Sequence, residues 1–173
     1  MVEAAAPPPG DLQFHLAIGS RFENVEIVQI VLNDVLERMG VEADTRHWID
    51  LAVREAVANA VKHGNQGDPG KRVEICMCRD GGEVVVRVED EGAGFDPRLV
   101  HDPLAPENLL RPDGRGIFYI EKFMDGVEWG ARPGGGTVVT LRKRVAEAAP
   151  GAAGPAGAGE PPRTEPATEE RTR

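Results

Sequence analysis

Residues 44 to 64, DTRHWIDLAVREAVANAVKHG, carry two stripes at helical spacing, and together they restrict the folds open to this chain more than any other stretch. Ile49, Val53, Ala56, Val57, Ala60 and Val61 gather on one side, the mark of a helix laid on a sheet. Glu55, Asn59 and His63 follow in steps of four, about 40° apart around the axis at ~3.6 residues per turn, and line the other side. A solvated face is the ordinary explanation of such a line. Asn59 argues for more: asparagine is a poor helix former that gains nothing on an open surface, and between Ala58 and Ala60 it calls for a specific partner. The helix has one side for a core and one that is a candidate site.

The chain is long enough for one domain with a sizeable core, and 40% of its 173 residues are hydrophobic. A formal charge of -9 argues against a nucleic-acid surface, which needs clustered Lys and Arg. No apolar run approaches the ~18 residues of a membrane span. The opening MVEAAAPPPG lacks the basic-then-apolar order of a secretory signal, so a cytoplasmic protein is expected. Cys76 and Cys78, two apart in a strand-like run, share a face. No second pair of ligands follows at metal-site spacing, which leaves two reduced, half-buried thiols.

The opening AAAPPPG and residues 146 to 173 are rich in Ala, Pro, Gly and Glu without large apolar side chains, so 1 to 10 and 146 to 173 are expected to be disordered around a domain at 11 to 145. Within it, LQFHLAI alternates like a strand. FENVEIVQIVLNDVLERMG has helical spacing closed by a glycine. Asp44 or Thr45 can cap the second helix, which ends at Gly64. RVEICMCR and EVVVRVED form a hairpin around DGG. An irregular stretch from Glu91 to Asp113 is long enough to suggest a lid or binding loop. The helix GIFYIEKFM follows, then strands GVEWGAR and GTVVTLRKR around PGGG. This order gives an α+β fold, a two-layer sandwich of helices on a mixed, mostly antiparallel sheet.

Four stretches could carry chemistry: the polar stripe, DEGAGFD at 90 to 96, DGRGIFYI at 113 to 120 and GGGT at 134 to 137. Each has a plain alternative. Asp-X-Gly-X-Gly after a strand can be only a turn, GRG can be a loop, and GGGT a flexible hairpin. Glycines opening a helix also let a ligand reach backbone N–H groups at the positive end of its dipole, which suits phosphate. GNQGDPGKR is not a P-loop: its glycine spacing is wrong, Arg72 replaces the hydroxyl residue, and it precedes a strand. Ser20 is the single serine, so a Ser-His-Asp hydrolase has poor prospects.

In combination, Glu-X-X-X-Asn-Ala-X-X-His-Gly (55 to 64), Asp-X-Gly-X-Gly (90 to 94), Gly-X-Gly (114 to 116) and Gly-Thr (136 to 137) resemble the N, G1, G2 and G3 boxes of the GHKL ATPase superfamily. REAVANAVKHG, GRGIFYIEKFMDGVEW and the compact size are similar to the anti-sigma-factor serine/threonine kinases of bacterial partner switching. The resemblance covers residues 12 to 144 and implies a Bergerat ATP-binding fold. It implies that Asn59 ligates Mg²⁺ and that Glu55 is the general base on a protein hydroxyl. Asp90 accepts from the adenine amino group, Gly92 and Gly94 make room for the ring, and Thr137 supports that contact. Gly114, Arg115 and Gly116 meet the phosphates, with Arg111 as a second cation. His63 is expected to be structural, fixing the turn at Gly64.

The implied function is an ATP-dependent kinase that phosphorylates a STAS-type anti-anti-sigma protein and otherwise sequesters a sigma factor, as a homodimer. The alternative is a non-catalytic module whose bound ATP sets a partner surface; Glu55 favours the kinase, since a pure binder needs no base. A detached histidine-kinase module would carry a two-helix phosphoacceptor region, and only one candidate helix precedes the asparagine motif.

Overall fold

The computed structural model describes residues 10–94 and 115–146. In chain order the elements are β1 (Asp11–Gly19), a short 3₁₀ turn (Phe22–Asn24), α1 (Val25–Arg38), α2 (Ala43–Asn59), a π-helical turn (Ala60–Gly64), β2 (Arg72–Asp80), β3 (Glu83–Glu89), α3 (Arg115–Phe123), β4 (Gly126–Ala131) and β5 (Thr137–Arg144). The five strands lie in the order β1-β2-β3-β5-β4. All four ladders are antiparallel, so the mixed character expected of the sheet does not occur among the described residues. No described helix is long and apolar enough to cross a membrane. The disorder expected at 1 to 10 and 146 to 173, and the lid expected to reach Asp113, fall largely outside the described residues.

The helices cover one face of the sheet. Alternation in β2 and β3 sends Val73, Ile75, Met77, Val84, Val86 and Val88 into the helix layer, where they are almost wholly buried. Val25, Val28, Leu32 and Leu36 of α1 meet them along one stripe. The six apolar residues named from the helical spacing, four on α2 and two on the π turn, are all in this core. Burying each large aliphatic side chain contributes about 1.5–3 kcal/mol, so the pattern is self-supporting once helices and sheet meet. Asp50 joins the helices, accepting hydrogen bonds from Gln29 Nε2 at 3.0 Å and Asn33 Nδ2 at 2.9 Å. Trp48 of α2 stacks on Phe123 of α3 with ring centroids 4.6 Å apart.

The helix ends show where local signals held and where they shifted. Gly40, at φ +71°, closes α1: its amide donates to the Glu37 carbonyl and the Val41 amide to the Leu36 carbonyl, a Schellman ending. The N-cap of α2 is Glu42, whose carboxylate accepts from the Thr45 amide at 3.2 Å, and not Asp44 or Thr45. The helix starts earlier than its polar residues suggested, which makes Thr45 the capped position. Its α-helical part ends at Asn59, and a π turn completes the path to Gly64, with the Asn65 amide donating to the Ala60 carbonyl at 2.8 Å.

The opposite face of the sheet is polar at one end. Arg132 lies 3.4 Å from carboxylate oxygens of Glu74, Glu89 and Glu91 and is 11% exposed. Cys76 and Cys78 point to this same face; Cys76 is half-buried as expected, whereas Cys78 is fully buried. Burial pushes both thiols up, helped by Glu89 at Cys76 and by Asp80 at Cys78, so they stay protonated and weakly nucleophilic at neutral pH.

Candidate functional site

The polar line on α2 forms one end of the candidate site. Glu55 and Asn59 are half-buried, and neither side chain has a hydrogen-bond or ion-pair partner among the described residues. What faces them is the start of α3. A Cβ added to Gly116 would lie 2.8 Å from Glu55 Oε2, 3.4 Å from Asn59 Nδ2 and 3.7 Å from Asn59 Oδ1. The glycine therefore brings the first turn of α3, the positive end of its dipole, against the carboxylate and the amide together. Arg115 opens that turn and is exposed. His63 continues the α2 line but is exposed and makes no hydrogen bond among the described residues. The turn after Gly64 is not fixed by His63; Asn65 fixes it.

Asp90 forms the other end of the candidate site. It follows β3, where its amide extends the β3–β5 ladder to the Thr137 carbonyl at 3.0 Å. The side chain is 5% exposed, and its Oδ1 accepts from the Gly92 amide at 2.8 Å and the Thr137 amide at 3.1 Å. Both bonds use the same oxygen, which leaves Oδ2 without a partner among the described residues. Thr137 Oγ1 beside it is buried and has no hydrogen-bond partner among the described residues. A buried hydroxyl oxygen left without a partner beside an open carboxylate oxygen is costly unless a ligand engages it.

Close backbone approach makes this spot. A Cβ on Gly64 would run into the Asp90 carboxylate, one on Gly92 into the Gly64 carbonyl, and one on Gly136 into the Asp90 carbonyl. Gly136 has φ +114° and Gly94 φ +93°, values that an L side chain rarely adopts. The GGGT run is thus a packed hairpin end rather than a merely flexible one. Of the residues singled out from the sequence, Glu55, Asn59 and Gly116 meet at one end of the candidate site. Asp90, Gly92, Gly94 and Thr137 meet at the other, and Arg111 and Gly114 lie outside the described residues.

The family model of a histidine kinase-like ATPase domain matches residues 18–143. The chain belongs to the histidine kinase-like ATPase family. The anti-sigma F factor of Geobacillus kaustophilus is 32% identical over 139 residues, which span 78% of this chain and 94% of that relative. The serine-protein kinase RsbW of Oceanobacillus iheyensis is 26% identical over 138 residues, spanning 76% of this chain and 86% of the relative. Within the family the chain stands with the anti-sigma factors and serine-protein kinases. The RsbU and RsbW domains of Rv1364c from Mycobacterium tuberculosis share the fold, with TM-score 0.57 and 22% identity over 76% of this chain and 31% of that one.

As a histidine kinase-like ATPase the chain takes ATP, and its residues fit that ligand. Asp90 Oδ2 and Thr137 Oγ1 are acceptors at the glycine-walled end, suited to the amino edge of adenine. The first turn of α3 presents amide donors where Glu55 and Asn59 converge, suited to phosphate. Asn65 and Arg132, which with Glu91 brace this end from behind, belong to none of the four sequence motifs. GNQG reads locally as a turn and GVEWGAR as a strand around PGGG, and no local signal records that Asn65 and Arg132 act across the sheet.

Proposed function

We propose that this protein is an ATP-dependent serine/threonine kinase that acts as an anti-sigma factor, phosphorylating a STAS-type anti-anti-sigma protein and sequestering a sigma factor. The observation that carries the reading is the approach of Gly116 to both Glu55 and Asn59, which puts a free carboxylate beside the phosphate end of the nucleotide cleft. The relatives named anti-sigma F factor and serine-protein kinase support the same reading. The functional unit in this reading is a cytoplasmic homodimer.

Mg²⁺ fits at Asn59, whose side-chain oxygen is not taken by any other described residue, because that ion needs only one or two protein oxygens besides phosphate and water. When bound, it would neutralise charge on the phosphates. Asp90 and Thr137 hold the adenine, while the α3 amides and Arg115 orient the phosphate chain. Glu55 accepts a hydrogen bond from the serine or threonine hydroxyl of the partner. In the transfer, the hydroxyl oxygen bonds to the γ-phosphorus as the bond from that phosphorus to the bridging oxygen breaks. ADP leaves, and Glu55 takes the hydroxyl proton. An ordinary carboxylate suffices as base, because a loose transition state asks mainly for orientation and charge neutralisation.

The test uses purified protein, γ-labelled Mg·ATP and a purified STAS-domain substrate, with wild type beside Glu55→Gln. Label on a serine or threonine of the STAS protein that is lost in Glu55→Gln, with ATP binding retained, is expected. Tight ATP binding by wild type without any transfer would replace the kinase by a nucleotide-gated binding module.

A further inference from the structure

The adenine end of the cleft is held in place by a side chain that lies outside it. Asn65, immediately after the π turn, is 0% exposed. Its Oδ1 accepts from the Glu91 amide at 2.7 Å, and its Nδ2 donates to Ser20 Oγ at 2.6 Å and to the Arg72 carbonyl at 2.8 Å. Ser20 in turn donates to the Lys71 carbonyl at 3.1 Å. One amide thus ties the end of β1, the start of β2 and the exit of β3 to the end of the α2 segment. A residue that merely closed a turn would bond its neighbours; Glu91 is 26 residues away and Ser20 is 45.

We infer that Asn65 is a positioning residue for adenine recognition, acting through the peptide plane between Asp90 and Glu91. This rests on reading the cleft as an ATP site. The plane is held at both edges: Asn65 takes its N–H, and Gly136 presses on its carbonyl oxygen, so closely that a Cβ there would collide. Fixing that plane fixes where the Asp90 side chain starts. Since Oδ1 is pinned by Gly92 and Thr137, the direction of Oδ2 follows. Glu91 adds to the brace, its Oε2 accepting from the Arg72 amide at 2.8 Å and its Oε1 facing Arg132 Nη1 at 3.4 Å. The π turn makes this possible. It shifts the helical phase after Asn59, so that Asn65 turns inward while His63 remains exposed.

The experiment measures displacement of a fluorescent ADP by ATP and by purine riboside triphosphate, which lacks the 6-amino group, in wild type, Asn65→Ala and Ser20→Ala. The wild type is expected to prefer ATP. In Asn65→Ala the affinity for ATP falls about tenfold, the value of one well-made polar contact, and most of the preference goes with it. The purine riboside triphosphate is held almost as before, and turnover at saturating ATP stays within about twofold, since only nucleotide binding is affected. Ser20→Ala removes one anchor of Asn65, is the milder change if Asn65→Ala fails to fold, and loses about threefold in the same preference. A folded variant that keeps the full wild-type preference overturns the inference, as does an equal loss for both nucleotides. A wild type that binds neither, or binds both alike, overturns the ATP reading itself.

Discussion

Gly116→Ala separates catalysis from folding at a single atom. The new methyl would sit 2.8 Å from Glu55 Oε2 and 3.4 Å from Asn59 Nδ2, against an ordinary contact of about 3.4–4 Å. The atom in its way is the far end of a flexible side chain, so the carboxylate yields by about half an ångström or more at little conformational cost. Alanine in place of glycine near the start of α3 also gains up to about 1 kcal/mol of helix propensity. The two effects oppose each other, and stability is expected to stay within about 1 kcal/mol of wild type. Catalysis has no such tolerance: displacing a catalytic group by about 1 Å can cost about a hundredfold, so a 10–100-fold loss in kcat is expected. Urea unfolding gives the first quantity, and single-turnover transfer to the STAS protein at saturating Mg·ATP gives the second. Unchanged kcat in the folded variant would refute the idea that Glu55 works from its present position. Loss of ADP binding together with kcat would place the effect on the phosphates instead.

Two further predictions follow from individual atoms. Thr137→Val removes the buried, unpartnered Oγ1, so the nucleotide-free protein should gain about 1 kcal/mol while ATP binding weakens several-fold; calorimetry with and without nucleotide checks the opposed signs. Asp125 accepts from the Arg144 amide at 2.8 Å, and that bond, with Lys143 and Arg144 nearby, holds its carboxyl below the usual range. A lowered carboxylate contributes stability that is present above the unfolded pKa of about 3.9 and is lost as pH falls through the folded value. Asp125→Asn should therefore be about 1 kcal/mol less stable at pH 7, with the difference shrinking below about pH 4 in urea titrations. An offset between the two proteins that does not change with pH would contradict this.

The amino-acid pattern alone determined the strands, the helices and most of the cleft. Alternation in residues 72 to 89 and the apolar stripe of α2 are local statements about which side faces a core, and hydrophobic burial enforces them wherever the elements meet. Asn59 was legible because a polar residue with poor helix propensity stands out among alanines. Asp90 was legible because its glycines lie within four residues of it. Tertiary structure decided what depends on contacts between distant segments. That Gly116 brings α3 against Glu55, and that Gly136 admits the Asp90 carbonyl, follows from chain approach across elements, which a glycine permits but does not specify. Only the assembled fold showed that Asn65 turns inward and His63 outward, because a π turn changes the helical phase and nothing in AVKHG announces it. The Arg132 cluster is decided the same way, since its three carboxylates come from two strands and a loop of the folded sheet.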